Sequence, residues 1–353
     1  MKKILILLIS ICSVFQMQAT HLMGGEITWE CIKLGPDAGK YIFKLKLYRD
    51  CDGTSLSTFA QTIYVWDHPT VTSMSLDFIS NTDISPDCDV TNSGNSQLDC
   101  ATNPVGAVEE YLYESQPISL AGSPPTTGWH FTWDSCCRNG AISNLVLSST
   151  TSPSEGFTLR ASMFPYFDPI TGVATPADPC FDSSPIFNES PKTIICTASP
   201  FSYFPNASDN ELDSIYYAWD EPLDDFFGFF DPSSGNPNNL PFLSPYSYNN
   251  PLPGNVTLNS STGEISFNSF LSGNFVTVVR IDSYKCGQLV SQIYRDMQCV
   301  LIVCPTLNSG IINLSPSILP PFTDPFTGLP SFSTSVPAGT IVNFQIQSDD
   351  FDL

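Results

Sequence analysis

Positive charge is scarce in this chain of 353 residues. It has 13 Lys and Arg residues against 35 Asp and Glu residues, so its formal net charge is −22. A field of that sign repels nucleic acids and anionic membrane surfaces, and it favours cationic partners, including metal ions. Histidine is scarcer still, with three residues, and no metal-binding histidine motif or Ser-His-Asp order is present. An acidic surface also serves solubility alone, so the charge excludes some functions without selecting one.

The chain has no second long hydrophobic segment and no Cys-x-x-Cys pair. Its start, with two lysines, an apolar run over residues 4–15 and the small residue Ala19, is typical of a secretory signal peptide over residues 1–19. The run is shorter than the roughly 20 residues that a membrane-spanning helix needs. We therefore expect an exported protein without a transmembrane segment, at the outer cell surface or outside the cell. The missing Cys-x-x-Cys pair argues against a zinc ribbon or a thioredoxin-like centre.

No segment beyond the signal peptide has a convincing helical period. Between Tyr41 and Leu47, apolar residues alternate with lysines, which predicts a half-buried strand. A turn at residues 36–39 makes the ranges 26–32 and 40–49 a predicted antiparallel pair. Five more strands are predicted before residue 165, at 59–66, 74–79, 109–114, 129–133 and 156–164. These patterns indicate an all-β fold of antiparallel strands.

The best-specified stretch is the range 253–304. Two short apolar segments flank the turn sequence SSTG, and two long strands follow, joined at KCGQ. Gly287 in that junction can take positive φ, which predicts a β-hairpin. A short strand, a turn, a short strand and a long closing hairpin are typical of the second half of a small β-sandwich. We expect residues 40–49 and 275–303 to lie in the cores of two successive sandwiches.

Three sequence segments carry a resemblance to a known class of protein. HLMGGEITWEC, YIFKLKLYRDCDG and DSCCRNGAISNL resemble the N-terminal signature of Bacteroidetes extracellular proteins that often carry a gliding-motility-associated C-terminal domain. The range 253–304 is similar to their cadherin-like and immunoglobulin-like repeats. The resemblance implies type IX secretion, tandem disulfide-stapled antiparallel β-sandwiches and a role in adhesion. It implies no particular reaction.

Composition and this resemblance together divide the chain. After the signal peptide we expect an N-terminal β-sandwich over residues 20–178 and a cadherin-like or immunoglobulin-like sandwich over 179–304. The boundary is placed where Pro, Ser and Asp crowd residues 168–185. The range 305–353 begins the pattern again, because SDDFD repeats the earlier SDNELD, and we interpret it as the incomplete start of a further repeat.

Eleven cysteines lie beyond the signal peptide, since Cys12 is one of the 12. In an oxidising compartment they form a disulfide set with one cysteine left over. We predict two bonds that each close a polar or Pro-rich loop, one joining Cys88 to Cys100 and the other joining Cys180 to Cys196. Among Cys286, Cys299 and Cys304, one pair and one unpaired thiol are expected, without a choice between them.

The adjacent residues Cys136 and Cys137 allow two interpretations. They could bond each other, forming a small ring that serves in binding or redox chemistry. Alternatively each could bond a cysteine on a different strand, with Cys31 and Cys51 as the partners. We expect the second arrangement, because four cysteines in two strand pairs and a loop can staple one sandwich.

The acidic segment at Asp209, Glu211 and Asp213 is a candidate calcium site. Calcium takes six to eight oxygen ligands, and in an extended segment these alternate carboxylates could point the same way. Asp224 or Asp225 could complete the set. Cadherin-like repeats, which the segment resembles, hold calcium at such positions, although no glycine stands where the loop usually turns. An acidic stretch that is simply solvated is the other interpretation.

The range 220–253 is rich in Pro, Asn and Phe and has no alternation. Two adjacent pairs of phenylalanines in this range are candidate contacts for an extracellular glycan or protein ligand: Phe226, Phe227, Phe229 and Phe230. The alternative is a loop whose aromatics cover the sandwich. We expect a non-catalytic secreted or surface protein with an adhesion or architectural role, a carbohydrate-binding module as the second hypothesis, and a two-carboxylate glycoside hydrolase as the third.

Overall fold

The structure is a computed structural model that describes residues 22–85, 98–104, 106–151, 153–197, 200–224, 238–302, 322–323 and 330–331. Within these ranges the fold is all-β, as predicted, and contains no helix. The described residues therefore also contain no helix with the length and apolar character needed to cross a bilayer. The strands in chain order are β1 (Leu22–Cys31), β2 (Tyr41–Asp50), β3 (Gln61–Trp66), β4 (Ser73–Asp83), β5 (Val108–Ser115), β6 (Trp129–Ser135), β7 (Phe157–Met163), β8 (Ile186–Phe187), β9 (Ile194–Cys196), β10 (Phe201–Tyr203), β11 (Ala207–Ser208), β12 (Ser214–Trp219), β13 (Thr257–Leu258), β14 (Ile265–Phe267), β15 (Gly273–Lys285), β16 (Gln288–Ile302), β17 (Phe322–Thr323) and β18 (Pro330–Ser331).

Eleven strands form one large sheet. Eight of them follow one another in the order β1-β2-β5-β4-β3-β6-β7-β16, and β16 also pairs with β1, which closes the circuit. On its other edge β16 pairs along its length with β15, and β15 pairs with β12. Closure removes the unpaired edges that these eight strands would otherwise expose. The main apolar core lies against the inward face of this sheet.

The alternation predicted for β2 is confirmed. Tyr41, Phe43 and Leu45 are fully buried, whereas Lys44 and Lys46 point to the opposite side and form ion pairs with glutamates of neighbouring strands. This difference follows from the two-residue period of a strand, which sends successive side chains to opposite faces. The antiparallel pairing of β1 with β2 is likewise confirmed.

The long hairpin near the end of the described sheet is also confirmed. β15 and β16 pair antiparallel, and the connection consists of Cys286 and Gly287. Both residues have positive φ, 49° and 81°. Two central residues with positive φ define the turn type whose twist matches a two-residue hairpin. Gly287 adopts this conformation at no steric cost, which is why the sequence signalled a turn here.

The boundary predicted between residues 178 and 179 does not separate two sheets. β16, from the predicted second domain, pairs with both β1 and β7 of the predicted first domain. Gly24 explains how β16 comes so close to β1, because a side chain at Gly24 would collide with the carbonyl oxygen of Asp296. The two successive sandwiches of the prediction are therefore not confirmed.

The disulfides differ from the predicted pairs. Cys100 bonds Cys51, and Cys180 bonds Cys31, so the two loop-closing pairs with Cys88 and with Cys196 are wrong. Cys88 itself lies outside the described residues, and Cys196 is disulfide-bonded to a cysteine other than Cys180. Each bond joins the end of a strand, at Cys31 of β1 or at Cys51 just after β2, to a connecting segment that the fold brings beside it, with sequence separations of 149 and 49 residues.

The adjacent pair Cys136 and Cys137 forms a disulfide within itself. The expectation that these two cysteines bond Cys31 and Cys51 is therefore wrong, since both of those are engaged elsewhere. Cys286 and Cys299 are free thiols, the first exposed and the second buried.

Beyond residue 303, only β17 and β18 are described, as two paired strands of two residues each. They belong to a separate unit of the chain.

Candidate functional site

Several loops meet at one end of the large sheet, beside the turn between β15 and β16. They are the β1–β2 turn, the segment around residue 182 and the segment 209–213. Lys33 of the first lies 2.8 Å from Glu211 of the third, and Lys285 at the end of β15 contacts Asp182 and Asp213. Loops held at one end of a rigid sheet are a common location for function. We call Lys285, Asp182 and Asp213 the Lys285 triad.

Asp209 shapes the segment that carries two of the predicted calcium ligands. Its Oδ1 accepts hydrogen bonds from the backbone N–H groups of Glu211 and Asp213, at 2.9 and 3.1 Å. Its Oδ2 accepts a hydrogen bond of 3.1 Å from the Ser283 hydroxyl. Burial raises the pKa of Asp209, and these donors oppose the rise. Both oxygens of this carboxylate are therefore used to hold the turn.

Glu211 faces the β1–β2 turn. It pairs with Lys33 and accepts hydrogen bonds from the backbone N–H and hydroxyl of Ser183. Burial alone would raise the pKa of Glu211, but Lys33 and Ser183 outweigh burial, so the pKa lies below its ordinary value. Glu211 is thus held as a carboxylate that links two loops.

Asp182 and Lys285 form the most enclosed part of this end. Asp182 is 4% exposed, and its Oδ1 lies 2.9 Å from Lys285 Nζ. Burial raises the pKa of Asp182 to about 8, with Asp213 and Asp209 adding to the rise and Lys285 opposing it. Burial also raises the pKa of Tyr41, to which the charge of Asp182 contributes. A charged and an aromatic group therefore share one poorly hydrated site.

The structure does not gather the predicted calcium ligands into a set. The carboxylate oxygens of Asp209, Glu211 and Asp213 do not all come within 4.8 Å of one another. Asp224 is bound to the N–H of Gly156 and follows β12, whereas Asp213 precedes it, so the six residues of β12 separate them by about 20 Å. Asp225 lies outside the described residues. Calcium binding stays a prediction without a preformed ligand set.

One group of metal-ligating residues does come together within the described residues. It consists of Cys51, Cys100 and Glu109. The two cysteines are bonded to each other, and Glu109 forms a buried ion pair of 2.6 Å with Arg49. A disulfide offers no thiolate and the guanidinium already neutralises the carboxylate, so this group is structural.

The aromatic insert is described at its two ends. The four candidate ligand contacts Phe226, Phe227, Phe229 and Phe230 lie outside the described residues. At the ends of the insert, Leu223, Leu240 and Leu252 are buried, and the Tyr246 ring packs against Phe275 at 5.6 Å. Leu243 and Tyr248 remain 49% and 45% exposed. The described ends thus cover the sheet, while two side chains of the same segment face the solvent.

Sequence reasoning missed the buried ion pairs, of which two more join Arg138 to Asp296 and Arg295 to Glu26. Arg138 donates to Asp296 through both terminal nitrogens, at 2.6 and 3.3 Å, and lies 4.1 Å above the Phe157 ring. Arg295 pairs in the same bidentate manner with Glu26. The only signal in the sequence is a charged residue inside an apolar strand, as in YRDMQCV, and that signal does not identify the partner.

A small apolar cavity of about 50 Å³ lies between β16 and the sheet formed by β10, β14 and β13. Phe187, Phe201, Phe267 and Met297 are among its lining residues, and Arg295 contributes the charge. Ligand sites in proteins typically enclose about 300–1,000 Å³. The cavity is therefore too small for a sugar ring.

Comparison with known proteins finds no matching family model, no matching curated protein and no matching solved structure.

Proposed function

We propose that this chain is a non-catalytic, secreted or surface-exposed β protein with a role in adhesion or surface architecture. The signal peptide and the resemblance to Bacteroidetes proteins of gliding motility and type IX secretion support the location. The observation that supports this role is that segments far apart in the sequence are joined to one another in the sheet. A disulfide joins residues 149 positions apart, and β16 closes the sheet onto β1. Such stabilisation suits a protein that works outside the cell under load or proteolysis.

The charged groups support a structural role over a catalytic one. At the loop end, Asp209 holds a turn, Glu211 joins two loops, and Asp182 and Asp213 contact one lysine. A glycoside hydrolase needs two carboxyl groups flanking an open cleft, one to protonate the leaving group and one to act as nucleophile or base. Carboxylates engaged in internal contacts are poor candidates for either task.

The test is a surface-attachment assay with the purified mature protein. We expect saturable binding to a cell-surface or matrix preparation and no hydrolysis in a broad screen of polysaccharides and peptides. Turnover of any polysaccharide that disappears on changing a carboxylate of this chain to its amide would refute the proposal. The proposal would also be refuted if the protein bound none of the surfaces tested and was retained inside the cells of its native host.

Carbohydrate binding through the aromatic insert is the second candidate. The exposed side chains of Leu243 and Tyr248 on the described part of the insert favour it. A glycan array should then show binding that is lost when Phe226, Phe227, Phe229 and Phe230 are replaced together by Ser. Replacement of the exposed Phe59, which lies in a different loop, is the matched control and should leave glycan binding intact.

A further inference from the structure

Three side chains from three separate segments meet in the Lys285 triad. Lys285 Nζ lies 2.9 Å from Asp182 Oδ1 and 2.6 Å from Asp213 Oδ2. Lys285 ends β15, Asp213 directly precedes β12, and Asp182 lies between β7 and β8. The side chains of Asp182 and Asp213 are 5% and 10% exposed, and that of Lys285 is 17% exposed. Folding thus holds one amine against two carboxyl groups with little water between them.

The contact between Asp182 and the amine is not an ordinary hydrogen-bonded salt bridge. Asp182 Oδ1 is buried and has no hydrogen-bond partner among the described residues, although Lys285 Nζ is 2.9 Å away. Asp213 Oδ2, in contrast, accepts a hydrogen bond from the same ammonium group. Buried carboxylate oxygens are nearly always hydrogen-bonded, so the unsatisfied oxygen of Asp182 calls for an explanation.

Charge balance in this site favours a neutral Asp182. One ammonium faces two carboxyl groups, and a buried carboxyl group beside another carboxylate gains from keeping its proton. Burial raises the pKa of Asp182 to about 8. Burial lowers the pKa of Lys285, but its contacts with Asp213 and Asp182 outweigh burial and raise it, so the amine gives up a proton only to a group that it already touches. The amine therefore becomes nucleophilic by passing a proton to Asp213, the carboxylate that accepts its hydrogen bond.

We propose that Lys285 and Asp182 condense into an intramolecular amide, with Asp213 carrying the protons. Lys285 gives one proton to the Asp213 carboxylate, and the neutral amine attacks Cγ of the protonated Asp182 carboxyl group. Asp213 then donates its proton to the departing hydroxyl group and takes the second proton from the amine nitrogen, so that it ends as a protonated carboxyl group. One C–N bond forms, one C–O bond breaks and one water leaves, without any oxidant or reductant. Holding the groups in contact supplies the effective concentration that a reaction of carboxyl and amine otherwise lacks.

The amide would connect two stapled parts of the sheet. Asp182 is two residues from Cys180, which is bonded to Cys31 at the end of β1. An amide to Lys285 would therefore tie the ends of β1 and β15 together through residues 180–182. Unlike the disulfide, this connection would survive reduction.

The experiment measures the intact mass of the purified full-length mature protein after its disulfides are reduced and alkylated. We expect the wild-type mass to be lower than the sequence mass by one water. Trypsin should then fail to cleave after Lys285, and the peptide 161–192 should be found linked to the peptide 281–295. A wild-type protein with the full mass that yields a peptide ending at Lys285 overturns the proposal.

Variants assign the roles. Lys285→Arg keeps the charge but should restore the full mass, because the guanidinium is a poor nucleophile. Asp182→Asn should lose one ammonia in place of one water if the amide forms. Asp213→Asn should remain folded and unlinked, and a linked Asp213→Asn protein would overturn its role as proton carrier. The neighbouring pair of the exposed Lys33 and the largely buried Glu211 is the control, and Lys33→Arg should leave the loss of water unchanged.

Discussion

The buried pair of Arg138 and Asp296 gives the sharpest prediction of stability. Arg138 is fully buried at its side chain and Asp296 is 4% exposed, with 2.6 Å between Nη2 and Oδ2. The same guanidinium donates to the carbonyl oxygen of Leu223 and lies over the Phe157 ring. Removing one partner of a buried pair leaves an uncompensated charge, which typically destabilises by about 3–5 kcal/mol. We therefore expect Arg138→Met to lower the free energy of unfolding by about that amount.

A double variant separates the lost charge pair from lost packing. Arg138→Met combined with Asp296→Leu removes both charges. The Leu223 carbonyl oxygen loses the hydrogen bond from Arg138, worth about 1.5–3 kcal/mol, but keeps one of 3.3 Å from the Thr158 N–H. The double variant should thus be more stable than either single variant. Urea denaturation with intact disulfides measures these differences. Lys44→Met breaks an exposed pair with Glu30 and is the control, with an expected effect of about 0–1 kcal/mol.

The pH dependence of the single variant provides a second check. Burial raises the pKa of Asp296, and Arg138 opposes the rise, so the pKa climbs further in Arg138→Met. Between the ordinary carboxyl pKa and the raised one, the folded state keeps a proton that the unfolded state releases. Stability of the variant therefore falls as pH rises through this window. An Arg138→Met protein that loses under about 1 kcal/mol, or whose loss is independent of pH, would refute the reasoning.

Three further predictions concern the cysteines and the acidic segment. Replacing both Cys31 and Cys180 by Ser should destabilise the protein by up to about 5 kcal/mol in the chain-entropy model, measured by thermal or urea unfolding, because the bond spans 149 residues. Cys286 should react with maleimide in the native protein, whereas Cys299 should react only after denaturation, since burial raises its pKa to about 12. Asp209→Asn should lower the melting temperature equally in calcium and in chelator, because its carboxylate holds a turn; a calcium-dependent difference would restore the metal interpretation.

The strands could be predicted from the sequence because their signals are local. The alternation in β2 and the two positive-φ residues between β15 and β16 depend on neighbours a few positions away. The closure of the sheet could not be predicted, since Glu26 pairs with Arg295, which lies 269 positions later in the chain. The close approach of β1 to β16 at Gly24 likewise depends on a residue far away in the chain, Asp296.

The disulfide predictions failed for the same reason. The predicted bonds closed short loops, because a sequence shows which cysteines flank a loop but not which distant segments the fold brings together. The observed partners of Cys100 and Cys180 lie at the ends of β1 and β2, where only the fold brings them. In the acidic segment, the clustering of carboxylates was evident, but the cations that neutralise them come from Lys33 and Lys285, which lie far away in sequence.

The scarcity of positive charge has a structural counterpart. At least ten of the 13 Lys and Arg side chains form ion pairs, and several of these pairs are buried: those of Arg49, Arg138 and Arg295. Most cations are thus paired with carboxylates of this chain, and few remain to offset the excess negative charge of its exterior. An exterior of that kind repels sulfated or uronic-acid glycans, whose charge has the same sign. For the proposed adhesion role we therefore propose a neutral glycan or a basic protein as the class of ligand.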